Sequence, residues 1–405
     1  MKNILENARN AKKIVANLPE VLRNEILNTM AENIIKAKKQ ILESNKIDIQ
    51  NAKNLSNSMI ERLKLDSKKI DDIAESIKTI ASLKSPLGKI IDGFENYAGL
   101  KIRKISVPLG VIAVIYESRP NVTSDVGALC FKSGNVCILK GGKEALKSNK
   151  AILEALHSTL VKYNLPPSII SFIDSRDSIE SLLKEDKYID LVIPRGGEGL
   201  ISFVNLHSKI PVIKHDKGVC AMYIDKDCNK KEAIEIAINA KSAKPSACNS
   251  IETILIHKDS NILEDLINHL KNANITIKAQ DSIADMFDLM HLENDDFYKE
   301  YGDNTLNLKI VENINEAIEH IKKYGSFHSD CIITNDYTMA EKFLNEVDSA
   351  CVYVNASTRF SDGGEFGFGA EVGISTSKIH ARGPMGIDSL TTYKYQIYGN
   401  GQIRI

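Results

Sequence analysis

The chain has 405 residues, of which 43% are hydrophobic, so it can bury a large core and is expected to divide into two or three domains. Its 52 Lys and Arg residues nearly balance its 53 Asp and Glu residues, which excludes the global basic field of a protein that holds nucleic acid or an anionic membrane. No apolar run approaches the roughly 18 residues that span a bilayer, and the charged N-terminus lacks the apolar segment of a secretory signal, so a cytoplasmic location is expected.

The first part of the chain has a helical pattern. Its clearest predicted helix runs over 66–83, where apolar residues recur at three- and four-residue spacing and Asp66 or Ser67 would form the N-cap. From residue 105 onward, short β-branched runs alternate with helical ones, which predicts a parallel sheet covered by helices. The predicted elements are strands at 111–116, 136–140, 169–173 and 189–193 and a helix over 144–163.

A second series of alternating elements follows residue 248. Its predicted strands are 251–257, 331–334 and 351–354, and a helix is predicted near 315–324. These elements predict a second α/β domain. The tail, 389–405, is rich in Thr, Tyr and Ile and has no obvious core of its own.

One of the seven cysteines, Cys248, lies in a segment suited to catalysis. It ends the sequence Lys-Ser-Ala-Lys-Pro-Ser-Ala-Cys, a polar loop that leads into the apolar run 251–257. A thiol in such a loop is held by a rigid element and stays reachable by a small molecule. A cysteine taken alone is more often a buried small hydrophobe. The seven cysteines form neither a C-x-x-C pair nor a dense framework, so the sequence indicates reduced thiols and no metal site.

Three upstream segments favour a nucleophilic role for Cys248. The first, 107–123, is a predicted strand that ends in a polar turn with Asn121, whose amide can be aimed at a reacting group. The second, 136–145, is a strand that runs into two glycines and two lysines and resembles a phosphate site. The third, 189–200, ends in a Gly-rich turn, and ligands of open α/β sheets bind beyond such strand ends.

In order and approximate spacing these segments resemble the aldehyde dehydrogenase superfamily, and within it the gamma-glutamyl phosphate reductase family. The diagnostic stretches are Tyr-Glu-Ser-Arg-Pro-Asn-Val-Thr, Leu-Lys-Gly-Gly-Lys-Glu-Ala, Pro-Arg-Gly-Gly-Glu-Gly-Leu, Lys-Pro-Ser-Ala-Cys-Asn-Ser and the segment 359–376. The resemblance runs almost from end to end and implies an α/β, aldehyde-dehydrogenase-like fold. The implied parts are a Rossmann-like NADP(H)-binding domain (1–96 and 108–221), an α/β catalytic domain (222–386) and a small β oligomerisation element (97–107 and 387–405).

The resemblance also implies a reaction, the NADPH-dependent reduction of L-glutamyl 5-phosphate to L-glutamate 5-semialdehyde in proline biosynthesis. The Cys248 thiolate would displace phosphate from the acyl carbon to form a thioester, while the Asn121 amide and the Cys248 backbone N–H receive the oxyanion. Hydrolytic relatives carry Glu-Leu-Gly-Gly-Lys, in which the glutamate activates the deacylating water. The matching segment 214–218 reads Lys-His-Asp-Lys-Gly, so this base is missing and the thioester is expected to resist hydrolysis. His215, in this segment, is better explained as a structural residue than as a proton carrier.

The cofactor prediction rests on the resemblance, because the chain contains neither G-x-G-x-x-G nor G-x-x-x-x-G-K-[ST]. Lys140 would lie beside the adenosine ribose. Lys143 stands where NAD-preferring relatives often carry a Glu, which favours the 2′-phosphate of NADP(H); alternatively, Lys143 only occupies a solvated first helical turn. The other residues expected at the cofactor are Gly141 in the same turn, Arg195, Gly196 and Gly197 near the pyrophosphate and nicotinamide, and Glu300 at the nicotinamide ribose if the alignment is given a gap.

Recognition of this substrate calls for cations or clustered donors, because glutamyl phosphate carries both a carboxylate and a phosphate. Arg119 and Arg382 are the leading candidates, although either can instead be a structural ion-pair partner. Further donors in family-like segments are Lys244, Ser246, Asn249 and Arg359.

The resemblance further implies a homo-oligomer, and it suggests that a glutamate 5-kinase docks to hand over the labile acyl phosphate. Two other functions stay open. A CoA-acylating aldehyde dehydrogenase would share Cys248 and lack the hydrolytic glutamate, but it would depend on CoA instead of phosphate. A non-catalytic protein with an idle pocket is disfavoured, because the nucleophile, the Asn and the glycine turns occur together.

Overall fold

The computed structural model describes residues 1–52, 55, 57–174, 179–213 and 217–404. Within these ranges the α-helices are α1 (Lys2–Ala16), α2 (Glu20–Lys36), α3 (Lys38–Asn51), α4 (Asn57–Leu63), α5 (Ser67–Ser82), α6 (Asn121–Lys132), α7 (Leu146–Lys162), α8 (Ile179–Leu182), α9 (Glu198–His207), α10 (Lys230–Ser242), α11 (Leu263–Asn272), α12 (Asp281–Phe287), α13 (Ile314–Tyr324) and α14 (Tyr337–Glu346). The strands are β1 (Ile90–Glu95), β2 (Lys101–Pro108), β3 (Val111–Tyr116), β4 (Val136–Gly141), β5 (Ile170–Phe172), β6 (Leu191–Arg195), β7 (Cys220–Ile224), β8 (Ile251–His257), β9 (Thr276–Ala279), β10 (Met290–His291), β11 (Thr305–Val311), β12 (Ser329–Ile333), β13 (Cys351–Val354), β14 (Gly373–Ser375), β15 (Gly383–Met385) and β16 (Thr391–Tyr398).

The chain forms two compact units. The first comprises 1–214, 367–373 and 385–405, and the second comprises 215–366 and 374–384. Both segments of the expected oligomerisation element therefore belong to the first unit. In the described part of the chain, no helix combines the length and the apolar character needed to cross a membrane.

A parallel four-stranded sheet in the order β5-β4-β3-β6 forms the centre of the first unit. Strand β3 reads Val-Ile-Ala-Val-Ile-Tyr and is buried on both faces, as a central strand between helical layers must be. The predicted strands 111–116, 136–140 and 169–173 are confirmed. Strand β6 begins two residues later than the predicted 189–193, and just before it the Asp190 carboxylate accepts a hydrogen bond (2.8 Å) from the backbone N–H of Val111.

The strand order of this sheet predicts where a ligand binds. From β3 the chain continues outward through β4 and β5, and it then returns to the other side of β3 as β6. Ligands of open α/β sheets bind outside the carboxyl ends of the strands where the order reverses. The reversal lies between β3 and β6.

The helices and the tail of the first unit also match the sequence pattern. Helix α5 confirms the prediction over 66–83, and its cap is Asp66, whose side chain accepts a 2.8 Å hydrogen bond from the Lys69 N–H. The predicted helix over 144–163 is α7, preceded by one 3₁₀ turn at Lys143–Ala145. The tail forms β16, which pairs antiparallel with β2 in a sheet ordered β1-β2-β16. The large side chains on this sheet that stay exposed are Ile90, Ile91, Phe94, Tyr393, Tyr395, Ile397 and Tyr398.

A parallel seven-stranded sheet in the order β10-β9-β11-β8-β7-β12-β13 forms the centre of the second unit. One face packs against apolar residues of α10 and α11, and the other packs against those of α13 and α14. The predicted second α/β domain is confirmed, with β8, β13 and α13 at the expected positions and β12 at Ser329–Ile333 for the predicted 331–334. The strands β7, β9, β10 and β11 were not among the predicted elements.

Candidate active site

In the first unit, three neighbouring parallel strands end in polar turns at one edge of the sheet. Strand β3 leads into 117–120, β4 into 141–143 and β6 into 196–197. The register aligns Tyr116 with both Gly141 and Arg195, so the predicted cofactor turns lie side by side at the strand ends. The structure thus brings the three upstream motifs together at one edge, and two of them flank the reversal of strand order.

A carboxylate that the sequence did not single out holds the β6 turn. Glu117 Oε2 accepts a 2.8 Å hydrogen bond from the Gly197 N–H, at the N-terminus of α9. A Cβ atom at Gly196 would lie only 2.8 Å from the carboxyl carbon of Glu117, so any other residue there would displace this carboxylate. The contact ties the β3 and β6 turns together.

A second carboxylate holds the β4 turn in the same way. Glu144 Oε1 accepts hydrogen bonds of 2.8 Å from both the backbone N–H and the hydroxyl of Ser118. Ser118 has a left-handed φ of 42°, which is unusual for a non-glycine residue, so these bonds hold a strained turn. A Cβ atom at Gly142 would lie 2.5 Å from the Glu144 carboxyl carbon. Gly142 therefore gives the Glu144 side chain its space.

The predicted cofactor residues around these turns suit a dinucleotide. Lys140 is half-buried at the end of β4, and Lys143 is exposed at the start of the 3₁₀ turn, so its ammonium group can reach a phosphate. Arg195 donates a hydrogen bond from Nη1 to the carbonyl oxygen of Val372. Close glycine turns beside two reachable cations are the features that a nicotinamide dinucleotide requires, and Lys140, Lys143 and the Gly196-Gly197 turn would hold it.

Asn121, the predicted oxyanion donor, is the first residue of α6 and is exposed. Its Nδ2 donates a 3.0 Å hydrogen bond to Oδ2 of Asp125, one helical turn later. Arg119 is half-buried in the loop before the helix.

Cys248 lies in the second unit, in the loop between α10 and β8, and its side chain is partly exposed. The loop is a succession of tight turns, in which the Ala247 N–H donates to Lys244 O (3.0 Å) and the Ser250 N–H donates to Ala247 O (2.9 Å). A thiol in this position is reachable, as a nucleophile must be.

Two residues hold the backbone of Cys248 from behind. A Cβ atom at Gly218 would lie 2.5 Å from the Cys248 Cα and closer still to its carbonyl group, so only glycine fits at 218. The Cys220 thiol donates a hydrogen bond to the Cys248 carbonyl oxygen (3.2 Å). Cys220 is fully buried, and desolvation raises the pKa of its thiol well above the usual value. Neither role has a signal in the sequence, because both depend on contacts across the fold.

Asn249, predicted as a substrate contact, is buried and connects the nucleophile loop to the segment 358–361. Its Nδ2 donates to the carbonyl oxygens of Arg359 (3.3 Å) and Ser361 (2.9 Å). In return, Thr358 Oγ1 donates to the Asn249 carbonyl oxygen (2.6 Å). The observed contacts of Asn249 are therefore structural, and they bring residue 359 next to the loop that carries Cys248.

The arginines of the second unit differ in their partners. Arg382 donates to Asp348 Oδ1 (2.8 Å) and to the Asp348 carbonyl oxygen (2.7 Å). Hydrogen bonds from Lys378 and then Arg382 lower the pKa of Asp348. Of the two roles left open for Arg382, the ion pair is the one observed. The Nε atoms of Arg359 and Arg382 are both buried with no hydrogen-bond partner among the described residues, so the two arginines differ in the Asp348 contacts of Arg382.

The remaining predicted residues are exposed or lie outside the described ranges. Ser246, Lys244 and Glu300 are exposed in the second unit. In the segment 214–218, where the hydrolytic glutamate is missing, Lys214, His215 and Asp216 lie outside the described residues. Lys217 Nζ donates to Tyr298 O (2.9 Å).

Comparison with known proteins identifies the family. The model of the aldehyde dehydrogenase family matches residues 1–303. A gamma-glutamyl phosphate reductase from Aliarcobacter butzleri is 53% identical, with all of both chains covered. The crystal structure of a gamma-glutamyl phosphate reductase from Thermotoga maritima has a TM-score of 0.97 at 40% identity and covers 100% of this chain and 99% of that one.

More distant structures share only the fold. An acetylating aldehyde dehydrogenase from Geobacillus thermoglucosidasius has a TM-score of 0.70 at 18% identity, covering 100% of this chain and 97% of that one. The full-length similarity at 40% identity and above is to the reductases. The chain thus belongs to the aldehyde dehydrogenase family, and within it to the gamma-glutamyl phosphate reductases.

Proposed function

We propose that the chain reduces L-glutamyl 5-phosphate to L-glutamate 5-semialdehyde with release of phosphate, a step of L-proline biosynthesis. The observation that carries this proposal is the full-length identity of 53% to a reductase of that name, together with Cys248 in a reachable and tightly held loop. The CoA-acylating alternative has support only from relatives at 18% identity or less, which share the fold.

The Cys248 thiolate attacks the acyl carbon of the substrate. The carbonyl oxygen of the acyl group gains negative charge, which the Asn121 amide N–H and the Cys248 backbone N–H stabilise. Phosphate then leaves, and the acyl group remains on sulfur as a thioester. Water is not activated, since the segment 214–218 has no glutamate in the position that hydrolytic relatives use.

Aldehyde dehydrogenases use a nicotinamide cofactor, and we assign NADPH to this chain. When bound, the cofactor supplies the hydride that reduces the acyl group to the aldehyde level. Lys143 is exposed beside the Gly141-Gly142 turn and supports the preference for a 2′-phosphate, because an ammonium group pairs with phosphate and a carboxylate does not. Lys140, Arg195, Gly196, Gly197 and Glu300 complete the proposed cofactor contacts.

For the anionic groups of the substrate we favour Arg359. A buried guanidinium nitrogen without a partner is costly unless a ligand supplies an acceptor. Arg359 is also joined through its carbonyl to Asn249, the residue after the nucleophile. Arg382 also has a buried Nε without a partner among the described residues, but its two other guanidinium nitrogens already donate to Asp348, which makes it the weaker candidate. Arg119 and Ser246 remain proposed contacts.

The setting of the reaction is part of the proposal. All seven cysteines are thiols, as is typical of a reducing cytoplasm. The exposed aromatic and aliphatic side chains of the β1-β2-β16 sheet support its pairing with a second copy in a homo-oligomer. A glutamate 5-kinase is the proposed donor of the substrate, because an acyl phosphate is labile in water.

The decisive experiment follows NADP⁺ reduction in the reverse direction with glutamate 5-semialdehyde. Phosphate, CoA or neither is added. Strict dependence on phosphate is expected. Turnover without phosphate would mean that water resolves the thioester, and turnover only with CoA would assign the chain to the acylating enzymes.

A further inference from the structure

The Asn121 amide is held by a half-buried carboxylate that the reaction scheme does not use. Asp125 lies one turn after Asn121 on the same face of α6, and its Oδ2 accepts the 3.0 Å hydrogen bond from Asn121 Nδ2. Its other oxygen, Oδ1, is buried. Asn121 itself is exposed at the first position of the helix, and its side chain makes no other hydrogen bond to the described residues. The orientation of this exposed amide therefore depends on Asp125.

We infer that Asp125 is a positioning residue, which turns the N–H side of the Asn121 amide toward the reacting acyl oxygen. The inference rests on the proposed function, in which Asn121 stabilises the oxyanion. A carboxylate can only accept hydrogen bonds, whereas an amide presents two N–H groups on one side and a carbonyl oxygen on the other. One N–H pairs with Asp125, and the second remains for the substrate.

The opposite orientation of the amide is unfavourable for a simple reason. Rotation by half a turn would place Asn121 Oδ1 against Asp125 Oδ2, so that two acceptors would face each other at about hydrogen-bond distance. The same rotation would present an oxygen to the developing oxyanion. Asp125 therefore selects the productive orientation before the substrate arrives, which is the preorganisation that oxyanion stabilisation requires.

The surroundings of Asp125 bear on its ability to accept. Burial is the largest influence and raises the pKa of the Asp125 carboxyl group overall, while Asn121, Ser76 of α5 and the charge of Arg195 at the end of β6 act to lower it. These groups face the carboxyl group from three elements. They oppose the effect of burial, and in the structure the carboxyl oxygen Oδ2 accepts from Asn121.

The size of the effect has a lower and an upper bound. An amide that rotates freely between two equal orientations loses about half of its productive population, a twofold effect. Complete loss of an oxyanion donor lowers kcat by roughly 10²- to 10³-fold. Removal of the Asp125 acceptor is expected to lie between these limits, at about 10-fold, because the amide also becomes mobile.

A double-mutant cycle tests the inference. The variants are Asn121→Ala, Asp125→Ala, the combination of both, and Asp125→Asn, which retains an acceptor oxygen. The assay is kcat and KM in the phosphate-dependent reverse reaction. Asp125→Ala is expected to lower kcat about 10-fold at unchanged KM for NADP⁺, to add less than twofold in the Asn121→Ala background, and to be largely rescued by Asp125→Asn. Effects that multiply in the double variant, or equal losses for Asp125→Ala and Asp125→Asn, would overturn it.

Two further measurements separate the inference from folding and from the proposed function. If Asp125→Ala does not fold, as judged by circular dichroism and thermal unfolding, Asp125→Leu removes the acceptor and keeps the volume. With selective ¹⁵N-Asn labelling, the Asn121 side-chain amide signals, assigned by their loss in Asn121→Ala, are expected to shift in Asp125→Ala and not in Asp125→Asn. If the wild-type chain has no phosphate-dependent turnover, the proposed function fails, but the amide signals still decide whether Asp125 holds Asn121. Unchanged Asn121 signals in Asp125→Ala would refute the inference that Asp125 orients this amide.

Discussion

Substitution of Gly218 by alanine tests whether the position of the Cys248 backbone controls the chemistry. Gly218 contacts the nucleophile loop through its backbone alone. An added methyl group at this position would lie 2.5 Å from the Cys248 Cα and closer still to its carbonyl group. Backbone atoms cannot turn aside as a flexible side chain can, so the loop itself must move.

The required movement can be read from the distances. Ordinary van der Waals contact of a Cβ atom begins at 3.4 Å, so the Cys248 Cα must retreat by about 0.9 Å, and the carbonyl group must retreat further. Misplacement of a reacting group by about 1 Å can lower the rate by roughly 10²-fold. The same shift moves the Cys248 N–H, the proposed second oxyanion donor. We therefore expect Gly218→Ala to lower kcat at least 10²-fold.

The assay must separate misplacement from unfolding. Overpacking of this kind costs about 1–3 kcal/mol of stability, so the variant is expected to fold with a lowered Tm. Binding of NADPH, measured by its fluorescence, is expected to be unchanged. Gly93→Ala is the matched control, because its methyl group would meet only the Ile102 carbonyl oxygen at an ordinary 3.7 Å. A folded Gly218→Ala variant whose kcat stays within about threefold of wild type would refute the reasoning.

Three further substitutions test the proposed site residues. Cys248→Ser is expected to lower activity by several orders of magnitude with folding intact. Cys228→Ser, at another partly exposed thiol, is expected to have little effect on activity. Equal losses of activity in the two variants would exclude Cys248 as the nucleophile. Lys143→Glu is expected to shift the ratio of NADPH to NADH efficiency at least 10-fold toward NADH, and an unchanged ratio would contradict the cofactor assignment. Arg359→Met is expected to raise KM for glutamyl phosphate roughly 10- to 150-fold, the equivalent of a lost charged hydrogen bond of about 1.5–3 kcal/mol. Arg382→Met removes a partly exposed ion pair and is expected to change KM less than about fivefold. If Arg382→Met had the larger effect on KM, Arg382 would be the substrate cation.

The elements that the sequence predicted correctly are those with a local signature. Strand β3 is an unbroken apolar run, strand β8 is rich in β-branched residues with the apolar run 254–256, and helix α5 combines a clear apolar stripe with an Asp cap. The strands that were missed lack such a signature. In β11, Asn307 and Lys309 interrupt the apolar run, although Asn307 is fully buried and its amide bonds the Asp296 carbonyl oxygen (3.1 Å). Only the tertiary partner explains why a strand forms there.

The same division applies to the site. Cys248, Asn121 and the glycine turns stand out in the sequence because loop composition and strand ends mark them. The residues that hold them do not. Glu117 contacts Gly197 across 80 positions, and Glu144 contacts Ser118 across 26, so neither pairing has a spacing that could be recognised. Asp125 is the exception, since its spacing of four from Asn121 on a helix is a signal that sequence reasoning could have used.

The environments of four other thiols support the choice of Cys248 as the proposed nucleophile. Burial raises the pKa of Cys137, Cys220 and Cys331 well above the usual value for a thiol, and these buried thiols cannot reach a substrate. Cys228 is more accessible, but partial burial followed by the charges of neighbouring aspartates raises the pKa of its thiol as well. The burial that disqualifies Cys220 as a nucleophile also keeps it protonated, so that it can donate to the Cys248 carbonyl at any physiological pH. The buried thiol of Cys220 thus helps to hold the loop that carries the proposed nucleophile.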